Sequence, residues 1–512
     1  MKKTYLIIGA LAIGTYASAQ KTADPTKYAK LITAEDAKKH LSIIASDAFE
    51  GRETGKPGAD KAAHYIEAEF KRLGLQAPVN GSYFLDIPLV ENSMEISFNV
   101  NGEAAANGVD FFTRSNASDN TITASEIVFV GYGTEAELGN TDIANKVILL
   151  INEDKPEAGK ETNTSYRATA ARTAILKNLQ SKNPALILAA NGEIADLMKR
   201  FGSSVRGGRL TIKTPESKNV TQQIPVMHIT TALADQLVKS SGKSYADLKG
   251  SGAQVIKADV KADFRTIHKD VKAVDVLGYM PGTDLKDEVL VFSAHYDHIG
   301  LNPNGKDKVN NGADDDGSGT TGILEIAKAF SQAKKDGHGP RRSVLFLGNV
   351  GEEKGLLGSE YYTDHPVFPL ANTITDLNID MIGRVGEEYI GKADSANYVY
   401  TIGSAMLSKE LHQINEDANA KYTHLDQDYK YDDPKDPNRF YYRSDHYNFA
   451  KHGVPIIFYF NGVHADYHQP GDEVSKINFP LLAKRAQLVF YTGWELANRD
   501  KRPVVDAPAS SN

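Results

Sequence analysis

Four short apolar runs in the second half of this 512-residue sequence each lead into residues able to bind metals or move protons. Val289-Leu290-Val291-Phe292 runs into Ser293-Ala294-His295-Tyr296-Asp297-His298, and Val344-Leu345-Phe346-Leu347 precedes Gly351-Glu352-Glu353-Lys354-Gly355. Asp376-Leu377-Asn378-Ile379 runs into Asp380, and Ile456-Ile457-Phe458-Tyr459-Phe460 precedes Asn461-Gly462 and then His464-Ala465-Asp466-Tyr467-His468. A single such ending is weak, since a lone histidine after a strand is usually a hydrogen-bonded structural residue and a glutamate pair a solvated turn. Four endings converging on one sheet edge carry more weight, because ligands of open α/β sheets bind beyond the carboxyl ends of the strands. Carboxylates buried there are costly unless paired or bound to metal. Two histidines and three carboxylates supply the nitrogen and oxygen donors that a pair of zinc-like ions needs, one carboxylate being shared. Two ions about 3.5–4 Å apart can activate one water and polarise one carbonyl, which is hydrolytic chemistry.

Composition narrows the alternatives. The chain has no cysteine, so cysteine-ligated zinc, iron–sulfur clusters, disulfides and thiol nucleophiles are excluded. With 58 Lys+Arg against 66 Asp+Glu, the net charge of −8 argues against a nucleic-acid binder or an anionic-membrane binder. Neither a G-x-S-x-G elbow nor an H-E-x-x-H helix occurs. Gly242-Lys243-Ser244 lacks the upstream glycine of a phosphate loop, Leu237 standing in its place.

The elements that must position these groups fall into blocks. Residues 1–19 read as a signal peptide: Lys2 and Lys3, an apolar run from Leu6 to Ile13 too short to span a bilayer, then Ala17-Ser18-Ala19. An exported protein, periplasmic or secreted and without a stable membrane anchor, is expected. Residues 20–94 open a main domain, with helical spacing of Ala62, Ile66, Phe70 and Leu73 and a loop at 51–58. Residues 95–262 alternate short apolar runs with turns, carry no cluster of catalytic groups, and read as an inserted smaller α+β or β-rich domain. Residues 263–500 repeat strand, loop and helix, an α/β pattern, with a helical stripe of Ile323, Ala327 and Phe330 in 318–330. Residues 501–512 read as a flexible tail, and 426–436, with five aspartates, as a solvated loop at the cleft rim rather than a calcium site.

His295-x-Asp297, Gly312-Ala313-Asp314-Asp315-Asp316-Gly317-Ser318-Gly319, Gly351-Glu352-Glu353-x-Gly355-Leu356-x-Gly358-Ser359, Asn378-Ile379-Asp380-Met381-Ile382-Gly383 and Tyr467-His468 resemble, in order and spacing, the motifs of metallopeptidase family 28. These are co-catalytic dizinc exopeptidases. Residues 40–75 resemble the family's N-terminal segment and 95–262 its inserted protease-associated domain. The resemblance implies a mixed, mostly parallel sheet flanked by helices, and two zinc ions. His295 and Asp380 would ligate one zinc, Glu353 and His468 the other, and Asp315 would bridge them, followed by a cis peptide. It makes Asp297 the partner that orients His295 and Glu352 the general base. Tyr467 would hydrogen-bond the oxyanion, and Arg443 the substrate carbonyl or backbone. Asp314 and Asp316 read as loop carboxylates that accept backbone NH groups, and His298, His446 and His464 as outer or structural residues.

The activity implied is that of an aminopeptidase acting on peptides. A carboxypeptidase of the same family, a one-zinc glutaminyl cyclase and a non-catalytic receptor-like protein are the alternatives. Oligomeric state is left open.

Overall fold

The computed structural model describes residues 23–506 except 114–118, 157–158, 160–161, 167–168, 206–207, 215–223, 304 and 394. The signal-peptide expectation for residues 1–19 therefore lies outside the described residues. The chain divides into two compact units, one formed by residues up to Ile87 and from Ala273 onward, the other by Pro88–Lys272.

The first unit is built on a sheet whose strands are, in chain order, β1 (Gln254–Met280, through its last residues), β2 (Leu285–His295), β3 (Arg342–Asn349), β4 (Thr373–Ile379), β5 (Tyr398–Ile402), β6 (Asp426–Asp428) and β7 (Ile456–Phe460). Their order across the sheet is β6-β5-β7-β4-β2-β3-β1. The pairs β6/β5, β7/β4, β4/β2 and β2/β3 are parallel, while β5/β7 and β3/β1 are antiparallel. The sheet is thus mixed and mostly parallel, in an α/β fold. Strands β3, β4, β5 and β7 are buried at every residue, which is why they read as unbroken apolar runs rather than alternating ones.

Four helices frame the sheet: α1 (Ala34–Ile44), α2 (Pro57–Leu73), α3 (Gly317–Lys335) and α4 (Phe479–Asn498). Thr33 caps α1 through its side chain, α2 starts on Pro57 and ends on left-handed Gly74, and Asp316 caps α3. Helix α3 is buried along most of its length, so its first turn is wedged against the end of β4. A Cβ at Gly319 would stand 2.3 Å from the Ile379 carbonyl oxygen, and only glycine permits that approach. No helix among the described residues is long and apolar enough to cross a membrane.

The second unit mixes strands and helices, and four of its strands run parallel in the order Asn120–Phe129, Val147–Ile151, Leu186–Ala190, Val226–Ile229. Its limits, Pro88 and Lys272, lie outside the expected 95 and 262 because both fall within long strands, Phe84–Val100 and Gln254–Met280. A boundary inside a strand leaves no turn signal to read.

Two expectations are corrected. Residues 426–436 are only in part a solvated loop, with Lys430 and 433–435 exposed. Asp426–Asp428 forms β6, Asp432 accepts from the Gly403 amide, and buried Asp436 accepts from Phe440 N at 3.1 Å. Burial pushes the Asp432 carboxyl up to about 6. Nor are residues 501–506 a free tail, since Val504 N donates to Glu410 and Asp506 accepts from Lys409 N while donating to the Leu407 carbonyl. Residues 507–512 lie outside the described residues.

Candidate metal centre and cleft

The carboxyl ends of β2, β3, β4 and β7 bring the motif residues together. His295, the last residue of β2, is 1 % exposed. Its Nε2 lies 3.4 Å from Asp315 Oδ1, 3.7 Å from Asp380 Oδ1 and 3.9 Å from Glu352 Oε2. Asp315 faces both ways: its Oδ2 is 3.1 Å from His468 Nε2 and 3.7 Å from His298 Nδ1. Glu353 divides its oxygens between two histidines, Oε1 at 2.8 Å from His298 Nδ1 and Oε2 at 3.1 Å from His468 Nε2. Glu352 extends to the other side, toward His295, from a turn closed by Gly355 N and Leu356 N donating to the Glu352 carbonyl rather than from the extended segment that the alternation of side chains would need.

Two groups of donor atoms result, each within 4.8 Å and sharing Asp315: His295 with Asp380, and His298 with Glu353. His295 Nε2, both nitrogens of His298, Asp315 Oδ2 and Glu353 Oε1 are buried without a hydrogen-bond partner. Orphaned buried donors and acceptors cost about 1–3 kcal/mol each, more when charged. So many at one point fit a site made for divalent cations, and an all-nitrogen-and-oxygen set suits zinc among them.

The ionisation of the metal-free site has the same origin. Burial opposes charge on His468, but hydrogen bonds to Asp315 and Glu353 outweigh it and its pKa is pushed up to about 10. His295 is likewise raised, burial being outweighed by Glu352 and Asp380. Burial pushes the Glu352 carboxyl well up, opposed by His295 and assisted by Glu353 and Asp380. Protons here occupy the places of cationic charge.

Asp297 faces His295 Nδ1 and makes further contacts. His295 Nδ1 is 3.0 Å from the Asp297 carbonyl oxygen and 3.7 Å from its carboxylate. The carboxylate also accepts from Thr54 Oγ1 at 2.6 Å and from Glu352 N at 3.2 Å, so it ties the N-terminal segment to the backbone of the glutamate pair. The Asp315–Asp316 peptide is cis. Asp316 accepts from Gly319 N and Met381 N, and Asp314 from Gly383 N, placing both flanking carboxylates on backbone amides. Buried His446 contacts the Tyr441 carbonyl, and His464 Nε2 lies 3.2 Å from Asp314 Oδ2.

Three positioning residues escaped the sequence analysis. Arg52, fully buried, donates to the carbonyls of Tyr296, Ile44, Asn311 and Gly312, clamping the 295–298 and 311–317 loops together. Thr54 holds Asp297, and Asp472 accepts from the amides of Asp314 and Asp315. An arginine between glycines in a polar loop looks like any surface arginine, and no local spacing marks it.

Beside the metal-ligand residues opens a cleft. Asp315, Glu352 and Asp380 line one side, and Met381, Phe440, Phe458, Phe460 and Val463 form an apolar wall. Arg443 and Tyr467 complete it, with Arg443 Nη2 donating to the Tyr467 hydroxyl at 3.2 Å and the Tyr467 ring stacked on His468 at 3.9 Å.

Comparison with known proteins places this architecture. Residues 275–493 match the model of peptidase family M28. Leucine aminopeptidase 2 of Trichophyton equinum is 27 % identical over 294 residues, covering 53 % of this chain and 52 % of the relative. Aminopeptidase YwaD of Bacillus subtilis is 26 % identical over 242 residues, 45 % of this chain and 46 % of that one. The chain thus spans about half the length of the curated relatives it matches. Among solved structures, an aminopeptidase from Aneurinibacillus sp. strain AM-1 aligns with TM-score 0.55 and 19 % identity over 95 % of this chain and 98 % of its own. A zinc aminopeptidase from Bacillus subtilis aligns with TM-score 0.53 and 18 % identity over 94 % and 97 %. The fold is that of these enzymes.

Proposed function

We propose that this protein is an exported zinc-dependent aminopeptidase that removes apolar residues from the N-termini of peptides. The observation that carries this reading is the convergence of His295, Asp315, Asp380, Glu353 and His468 beside a cleft holding a carboxylate, Glu352, and an apolar wall. His295 and Asp380 would hold one zinc, Glu353 and His468 a second, and Asp315 both. Bound zinc supplies Lewis-acid polarisation of the scissile carbonyl and a water of lowered pKa.

The remaining steps belong to the chain. Glu352, its backbone fixed by Asp297, takes a proton from the attacking water on a carboxylate oxygen as the water oxygen bonds to the carbonyl carbon. It delivers that proton to the leaving nitrogen as the C–N bond breaks. Tyr467 would donate to the developing oxyanion, and Arg443, which donates to the Tyr467 hydroxyl, to the substrate carbonyl or backbone. Glu352 and Asp380 offer negative charge to the free α-ammonium, and Phe440, Phe460 and Val463 receive an apolar first side chain. The similarity to leucine aminopeptidase 2 of Trichophyton equinum supports the same preference. Export rests on the reading of residues 1–19, and the inserted unit is read as protease-associated-like.

Arg443 in the cleft wall favours one second reading, a carboxypeptidase whose substrate carboxylate pairs with it. Mass spectrometry of unblocked peptides incubated with purified protein, zinc-depleted and zinc-restored, separates the two. Zinc-dependent ladders shortened from the N-terminus are expected. Shortening from the C-terminus selects the carboxypeptidase, and no shortening rejects both.

A further inference from the structure

We infer that Arg384 is a positioning residue for His468: by holding Asp466 and Asp472 it does for this histidine what a ring hydrogen bond does for His295. The inference rests on the dizinc reading above and adds a residue that lies outside both the ligand set and the cleft.

The two histidines are held in different ways. His295 is buried, and its Nδ1 lies 3.0 Å from the Asp297 carbonyl oxygen, the usual arrangement in which a ligand imidazole is oriented through its second nitrogen. The His468 side chain is 36 % exposed, its Nε2 faces Asp315 and Glu353, and among the described residues nothing accepts from its Nδ1. Its direction therefore comes from its backbone. That backbone stands at φ +55°, a left-handed conformation that a residue other than glycine keeps only where the surrounding structure imposes it.

What imposes it is a cluster of charges behind the segment 464–472. Arg384 donates from Nη2 to Asp466 Oδ2 at 2.9 Å, and its Nη1 lies 3.6 Å from Asp472 Oδ1. Asp466 stands two residues before His468 and Asp472 four residues after it, so one guanidinium fastens the segment on both sides. Turns inside the segment, Tyr467 N to the His464 carbonyl and Gln469 N to the Asp466 carbonyl, each at 2.9 Å, carry the anchoring inward. Asp472 extends it to the loop of the bridging carboxylate, its Oδ2 accepting from Asp314 N and Asp315 N at 3.0 Å each.

The arginine is itself fixed. Its amide donates to Asn461 Oδ1 at 2.7 Å, and its carbonyl accepts from Arg485 Nη1 at 2.8 Å. Lys476 reinforces the Asp466 end at 2.8 Å. A Cβ at Gly471 would stand 2.3 Å from Asp466 Oδ1, so a larger residue there would push the carboxylate away from its partners. A planar fork reaches two carboxylates at once, whereas the point charge of a lysine holds one well.

The test is chelator competition that resolves the two zinc affinities of wild type, Arg384→Met, Arg384→Lys and Asp466→Asn, each checked for folding by circular dichroism. Asp466 is 23 % exposed in its side chain, so Asp466→Asn loosens the anchor without leaving a buried charge unpaired, and it decides the matter if Arg384→Met does not fold. Wild type should bind two zinc ions. In Asp466→Asn and Arg384→Met one affinity should fall about 10- to 100-fold, the scale set by outer partners of a metal ligand, with Arg384→Lys between them and wild type. In Asp466→Asn the other affinity should stay unchanged. Two unchanged affinities in Asp466→Asn, or an equal loss in both, would overturn the inference and leave the dizinc reading intact. Wild type that binds fewer than two zinc ions defeats that reading and the inference with it.

Discussion

Thr54 donates its hydroxyl to Asp297 Oδ2 across 2.6 Å, joining a loop near the N-terminus to the motif that ends β2. Asp297 passes the constraint on, accepting from Glu352 N through its other oxygen. Thr54→Val keeps the shape and removes the donor. Turnover should fall roughly 10- to 100-fold with zinc content unchanged, as for other outer partners of a metal site. Unchanged kcat, measured beside zinc analysis, would show that Asp297 needs no such anchor.

Zinc loading should release protons. In the metal-free protein His468 has its pKa at about 10 and is protonated at neutral pH, yet only the neutral imidazole ligates. Each proton displaced makes apparent affinity rise about tenfold per pH unit, for His468 up to about pH 10. Titration calorimetry in buffers of differing ionisation enthalpy reads the count directly. A binding heat independent of buffer contradicts this picture.

The apolar wall should set side-chain preference. Val463→Phe narrows the cleft, and selectivity for leucine over alanine at the peptide N-terminus should fall about tenfold or more, the scale on which apolar pockets discriminate. The ratio of kcat/KM for the two peptides gives the answer, and an unmoved ratio places the side-chain pocket elsewhere.

His446 should make the protein acid-sensitive. It is buried, stacked on Phe458 at 4.6 Å, and burial lowers its pKa from 6.5 to about 3, the Tyr441 carbonyl opposing. As pH falls below about 6.5 the unfolded chain takes up a proton that the folded protein refuses, so stability is lost on acidification from about 6.5 to about 3. One proton of difference corresponds to about 1.4 kcal/mol per pH unit. Urea midpoints of metal-free wild type and His446→Phe at pH 7 and pH 5 should diverge, the variant losing less. Parallel loss in both would remove His446 from the account.

The legible part of the site was the part written in unbroken apolar strands. Burial on both faces makes β2, β3, β4 and β7 conspicuous, and the polar residue that ends each run is then conspicuous as well. Arg52, Thr54 and Asp472 were hidden because they act on partners more than 150 residues away, Arg52 and Asp472 on backbone atoms and Thr54 on a carboxylate, and nothing local distinguishes such contacts from surface polarity. Asp297 was located but its contacts were not, because a carboxylate two residues from a histidine can face the ring or turn to other donors. Residues 426–436 misled for a related reason: aspartates spent on backbone amides carry the same composition as aspartates in water. The limits of the inserted unit were blurred by strands that run through them.

The measurement that bears most directly on the central claim compares wild type and Glu352→Gln, each analysed for zinc and for release of leucine from an unblocked leucyl peptide in the same samples. Both should hold two zinc ions, with the variant slower by roughly 10²- to 10⁴-fold, the scale of general-base catalysis. Leucine release by the zinc-bound variant at the wild-type rate, or by wild type stripped of zinc, would contradict the account.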